Sequence, residues 1–109
     1  MRKRQRKKWL KKHGKYVSYS DLWSLDITIA NFVLPRLKKF KKENMGYPGR
    51  EEMDTPEKWD EALDKMILAF EYVAHTFDME SHFDEDKRRQ AVINEGLQLF
   101  AKWFQYLWI

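Results

Sequence analysis

Cysteine is absent from this 109-residue chain, which removes disulfides, zinc ribbons and thiol catalysis from consideration. The four glycines and three prolines form neither a Walker-type phosphate loop nor a dinucleotide-binding glycine pattern. No apolar run approaches the ~20 residues of a membrane span. The charged start is not followed by the apolar core of a secretory signal. Acids are scarce in the first part of the chain. Residues 1–42 hold 14 Lys or Arg against only Asp21 and Asp26, a balance of +12. Residues 43–109 hold 7 against 15 acids, a balance of −8. Such a basic end is suited either to phosphates on a nucleic acid or nucleotide, or to the acidic end of another subunit.

What is present argues for a folded domain: 43% of the residues are apolar and 16% aromatic, enough for one core at this length. Residues 1–15 read as a basic arm and residues 16–109 as a single helical domain. The arm, RKRQRKKWLKKHGK over residues 2–15, holds nine Lys or Arg and no acid. A block of like charge is normally a solvated segment, and only Trp9 and Leu10 give it an apolar spot. Trp9 is also able to stack on a base.

The segment Trp23–Phe40 organises the rest. Ala30, Val33, Leu37 and Phe40 recur at steps of three and four, one face of a helix. Asp26 and Arg36 are expected at the buried stripe and its edge, each paired with another helix through residues such as Lys65, Glu71 or Lys102. Pro35 has no N–H to donate to Asn31, so the helix should kink or restart there. Ser20 or Ser24 is placed to cap it.

Residues 44–54 carry two glycines and a proline and read as an exposed loop. Thr55-Pro56-Glu57 then marks a helix start, with a capping hydroxyl, proline at the first position and an acid in the first turn. Trp59, Leu63, Met66, Phe70, Val73 and Phe77 form its apolar stripe. Asp78–Glu85 interrupts the period. A last helix follows from about Glu85, with Asp84 as its cap and Ile93, Gly96, Leu97, Phe100, Phe104 and Leu107 as its stripe. Gly96 in a helix interior points to close approach of another helix. Trp103, Tyr106, Trp108 and Ile109 make the final turns apolar nearly all round, which predicts burial on all sides or a subunit contact. Trp23, Trp59, Trp103 and Trp108 are all expected in the core. The expected fold is all-α: three principal helices, the first open to a split at Pro35, with a basic N-terminal extension.

Chemistry is thin. His75, Asp78, Glu80, His82 and Asp84, with Glu71 four residues before His75, offer donor atoms. They match neither HExxH nor a calcium loop, and an ordinary acidic connection is the better account of them. No nucleophile–base signature is present, so neither catalysis, a metal site nor a cofactor is expected. The candidate ligand-binding residues are Arg36 and Lys39, with Lys7, Lys8, Trp9, Lys11 and Lys12 in the arm.

Four blocks carry a family resemblance: WSLDITIANFVLPRLKKFK, the YPG turn, WDEALDKMILAFEY and the terminal EGLQLFAKWFQYLW. Together they resemble a family of small uncharacterised proteins encoded by tailed bacteriophages, over roughly residues 20–109. The resemblance implies expression inside an infected bacterium, hence the host cytoplasm, and brings no catalytic residues with it. The expectation is a non-enzymatic accessory protein that sequesters a phosphate-bearing ligand, such as a nucleotide signal of host defence. A nucleic-acid-binding role and a protein–protein antagonist or assembly role are the alternatives. Self-association, with a dimer favoured, and no attachment to a membrane complete the expectation.

Overall fold

Pro56 opens the helix that centres the molecule. The Thr55 hydroxyl accepts the Lys58 backbone N–H at 3.2 Å, and proline fills the first helical position, where no N–H is needed. In the computed structural model, which describes residues 2–76 and 83–108, four α-helices follow one another. They are α1 (Lys3–Lys12), α2 (Leu25–Glu43), α3 (Pro56–Ala74) and α4 (Phe83–Trp103). Short 3₁₀ turns at Tyr19–Leu22 and Phe104–Tyr106 precede α2 and follow α4. No strand occurs among the described residues; an isolated bridge joins Arg50 to Met53. The protein is therefore all-α, with one helix more than the three expected, because the basic stretch is itself helical.

Helix α3 packs between α2 and α4. Its stripe of Trp59, Leu63, Met66 and Phe70 is buried, joined by Ala62 and Ala69. Side chains of this kind stabilise by about 1.5–3 kcal/mol each on full burial. Phe77 lies outside the described residues. From α2 come Ala30, Leu34 and Leu37, with Val33 and Phe40 partly buried beside them. From α4 come Trp103 and the half-buried Leu99 and Phe100. Trp59 and Trp103 meet edge to face at 6.3 Å, and Phe70 meets Phe100 likewise at 4.9 Å, the orientation that ring quadrupoles favour. Gly96 makes the α3–α4 contact close. A Cβ there would stand 2.5 Å from the Lys65 carbonyl oxygen and would also strike the Ala69 methyl.

Ion pairs lie along the helix seams. Lys38 meets Glu71 and Lys41 meets Asp64, both at 2.7 Å, between α2 and α3. Lys65 meets Glu95 at 2.9 Å between α3 and α4. Lys102 reaches Glu51 at 3.0 Å and Glu52 at 2.6 Å, holding the loop before α3 against the end of α4. Contrary to the expectation of an exposed loop, this segment puts Met53 in the core. A turn with Gly49 at φ +71° and Glu51 at φ +50° points Met53 inward, closed by Gly49 N–H to the Met53 carbonyl at 2.9 Å.

Several expectations are corrected. Helix α2 runs unbroken through Pro35; the proline ring is exposed, so the lost hydrogen bond lies on the solvent side. Neither Ser20 nor Ser24 caps α2 through its side chain. The Thr28 hydroxyl instead donates to the Asp21 carbonyl at 3.2 Å, tying the helix to the preceding turn. Helix α4 begins at Phe83, so Asp84 falls within its first turn rather than at its cap. The C-terminal turns are not buried all round: Trp103 is, but Phe104 and Trp108 stand exposed. Trp23 is likewise 76% exposed rather than in the core.

Candidate nucleic-acid interface

Helix α1 presents its charges on every side. Lys3, Arg4, Arg6, Lys7, Lys8, Lys11 and Lys12 fall within ten residues, and none of the ten is buried. What lets so self-repelling a segment end cleanly is its C-terminus. Gly14 adopts φ +66°, the left-handed conformation that costs glycine least. Its N–H then reaches the Lys11 carbonyl at 3.2 Å, while the Lys15 N–H reaches the Leu10 carbonyl at 2.7 Å. These bonds satisfy carbonyls that the helix end leaves open. The turn also folds Tyr16 back under the helix, with the ammonium groups of Lys7 and Lys11 each 5.1 Å from its ring centre. The Trp9 ring centre lies 4.3 Å from that of His13, with the planes tilted by 44°, and the Lys15 ammonium stands 5.7 Å from the Trp9 ring centre. Cation–ring contacts of this kind position an ammonium without neutralising it.

Charge pairing separates the arm from the rest. In the body, Lys38, Lys41, Lys58, Lys65 and Lys102 each hold a carboxylate within 4 Å. Among the described residues no such ion pair engages a cation of residues 2–15. The pKa values follow the same division. Hydrogen bonds to Glu52 and Glu51 raise that of Lys102, one to Glu95 raises that of Lys65, and one to Asp64 raises that of Lys41. The Lys102 ammonium holds the Glu52 carboxyl below its ordinary value, and Lys58 does the same for Asp54.

The candidate residues thus fall in two groups. Lys7, Lys8, Trp9, Lys11 and Lys12 share α1. Arg36 and Lys39 lie on the exposed side of α2, where with Phe40 and Glu43 they line a shallow hollow that no α1 residue enters. Arg36 is exposed, contrary to the expectation of a buried pair, as is Asp26. The acids and bases expected as partners are engaged elsewhere: Glu71 with Lys38, Lys65 with Glu95, and Lys102 with Glu52. The Arg36 guanidinium instead donates to the Phe32 carbonyl at 2.9 Å and lies 3.7 Å from the centre of the Phe32 ring. It is held by its own helix, one turn back.

Asp78, Glu80 and His82 lie outside the described residues, and no cluster of three potential ligands occurs among those described. No helix among the described residues is long and apolar enough to cross a membrane. The residue that sequence reasoning missed beside the arm is Tyr16; its spacing of nine and five from Lys7 and Lys11 becomes a contact only through the Gly14 turn. Compared with protein-family models, curated proteins and solved structures, the chain matches none.

Proposed function

We propose that the protein is a non-catalytic phage accessory protein that binds nucleic acid through the basic helix α1. One observation carries this reading: among the described residues no ion pair engages a cation of residues 2–15, whereas Lys38, Lys41, Lys58, Lys65 and Lys102 of the body each hold a carboxylate. An unneutralised run of positive charge on a helix about 15 Å long spans several phosphates of a polymer. Phosphate contacts of this type fix affinity rather than sequence, and Trp9, 44% exposed at the same surface, offers a stacking face to an unpaired base. The phage context comes from the sequence blocks between Trp23 and the C-terminal LW.

Sequestration of a small nucleotide signal is the second reading, supported by Arg36 and Lys39 beside their hollow on α2. It is the weaker one. A mononucleotide needs cations converging on a cavity, and Arg36 already spends donors on Phe32.

Fluorescence anisotropy with a labelled oligonucleotide tests the proposal. Engagement of six or more phosphates lowers affinity about 10³-fold or more between 50 and 200 mM salt. Removing residues 2–12 should abolish binding and leave the thermal midpoint nearly unchanged. Salt-insensitive binding, or binding that survives the deletion, would overturn it. Competition by free nucleotides but not by polymer would favour the second reading.

A further inference from the structure

Helix α2 carries two apolar faces, and among the described residues only one of them is covered. Ala30, Leu34 and Leu37 face α3 and are buried. Leu25, Ile29 and Phe32 recur at steps of four and three on the other side, 47%, 49% and 60% exposed. The 3₁₀ turn before the helix continues that stripe with Leu22, Tyr19 and Trp23, the last two ring-stacked edge to face at 6.2 Å and about three-quarters exposed.

We infer that this face is the contact between two copies of the chain, paired antiparallel along α2 about a two-fold axis near Ile29. Two arguments select a second copy. The first is charge. The stripe is apolar in its first half and continues in register to Arg36 and Lys39, while the two acids of this region, Asp21 and Asp26, stand at its opposite end. A two-fold contact must be complementary to itself. Antiparallel pairing lays Leu25 on Phe32 of the other copy, Ile29 beside its own equivalent, and Arg36 over the acidic end. Parallel pairing sets Arg36 on Arg36 and Asp26 on Asp26.

The second argument is area. Tyr19, Trp23 and Phe32 are aromatic side chains of roughly 150–250 Å² each, so at their exposure they leave about 400 Å² in water. With the aliphatic members added, the patch approaches the ~800 Å² per partner of a standard interface. It also exceeds a few hundred Å², above which exposed apolar surface on a monomer marks a contact site. The spacing of four and three matches the seam of paired helices.

The absence of cysteine gives a clean test. Ile29→Cys and Arg36→Cys are each purified and oxidised mildly at about 50 μM, beside sedimentation of the unmodified protein. The expected result is a dimer in sedimentation and a rapid interchain disulfide from Ile29→Cys, which lies on the axis, with none from Arg36→Cys. Ile29→Glu, with its helical circular dichroism retained, should be monomeric. A strict monomer at that concentration overturns the inference. Equal cross-linking at both positions overturns the antiparallel arrangement. Monomeric protein that co-sediments with anionic phosphatidylserine vesicles, and loses this with Ile29→Glu, assigns the face to a lipid surface and equally overturns it.

Discussion

Gly96 of α4 sits against the Lys65 carbonyl of α3 so closely that a methyl group would stand 2.5 Å from that oxygen. By propensity alone, alanine in a helix interior is favoured over glycine by about 1 kcal/mol. The steric term opposes it and is larger, because the Lys65 carbonyl is backbone and cannot swing aside. Gly96→Ala is expected to lower stability by about 1–3 kcal/mol, read as a shift in the urea midpoint. An unchanged or raised midpoint would mean that α3 and α4 do not pack this closely.

Pro35 provides the opposite case. The helix runs through it with the ring exposed, so the position bears the cost of a missing hydrogen bond and gains no burial. Replacing proline by alanine inside a helix is worth up to about 3 kcal/mol. Pro35→Ala should therefore raise the thermal midpoint. Loss of stability instead would show that the proline sets the course of α2 across α3.

Arg36 is exposed and bonded within its own helix. Arg36→Ala strands no buried acid, and the cost in folding stability should stay below about 1 kcal/mol, the scale of an exposed cation–ring contact. A loss of 3–5 kcal/mol, the signature of a broken buried pair, would require a carboxylate partner.

The pH dependence of stability follows from the Lys102 pairs. The Glu52 carboxyl is held below its ordinary value by Lys102, and the Asp54 carboxyl by Lys58. A carboxyl with a depressed folded pKa contributes stability that is present above its unfolded pKa. That stability is lost as pH falls through the folded one. The raised lysines, Lys41, Lys65 and Lys102, contribute below their unfolded pKa and lose the contribution as pH rises through the folded one. The thermal midpoint should therefore be flat near neutrality and fall at both extremes, below pH ~4 and above pH ~10. Lys102→Met should flatten both slopes, and a profile indifferent to that change would refute the role of these pairs.

Helix α3 was legible because two independent signals agree there: the Thr55-Pro56 start and a stripe from Trp59 to Phe70. Helix α2 was legible as a helix and in its core stripe, since Ala30 and Leu37 are buried with Val33 and Phe40 packed beside them, but a sequence with apolar residues on a second side does not say whether its own chain covers that side too. That ambiguity displaced Trp23, which meets Tyr19 edge to face at the surface rather than in the core. Met53 was invisible because a loop residue carries no period, and only the Gly49–Glu51 turn aims it inward. The burial of Arg36 was inferred from apolar neighbours in sequence, yet the cation rests on one of them, Phe32, at the surface. In the candidate site, the crowding of lysines in residues 2–15 was plain. That lysines of the body hold carboxylates on other helices was not, because the pairs Lys38–Glu71 and Lys65–Glu95 join distant positions.

The unpaired arm has a kinetic consequence. Residues 2–15 contribute +9 while the whole chain carries +4, so residues 16–109 balance at −5. The protein is thus strongly polarised, positive at one end and negative over its body. In the field of a polyanion such a molecule feels a torque as well as an attraction. It rotates arm-first before contact, and the acidic body is held away from the strand. Encounters are oriented before they are close, which raises the association rate at low salt, and added salt removes the steering.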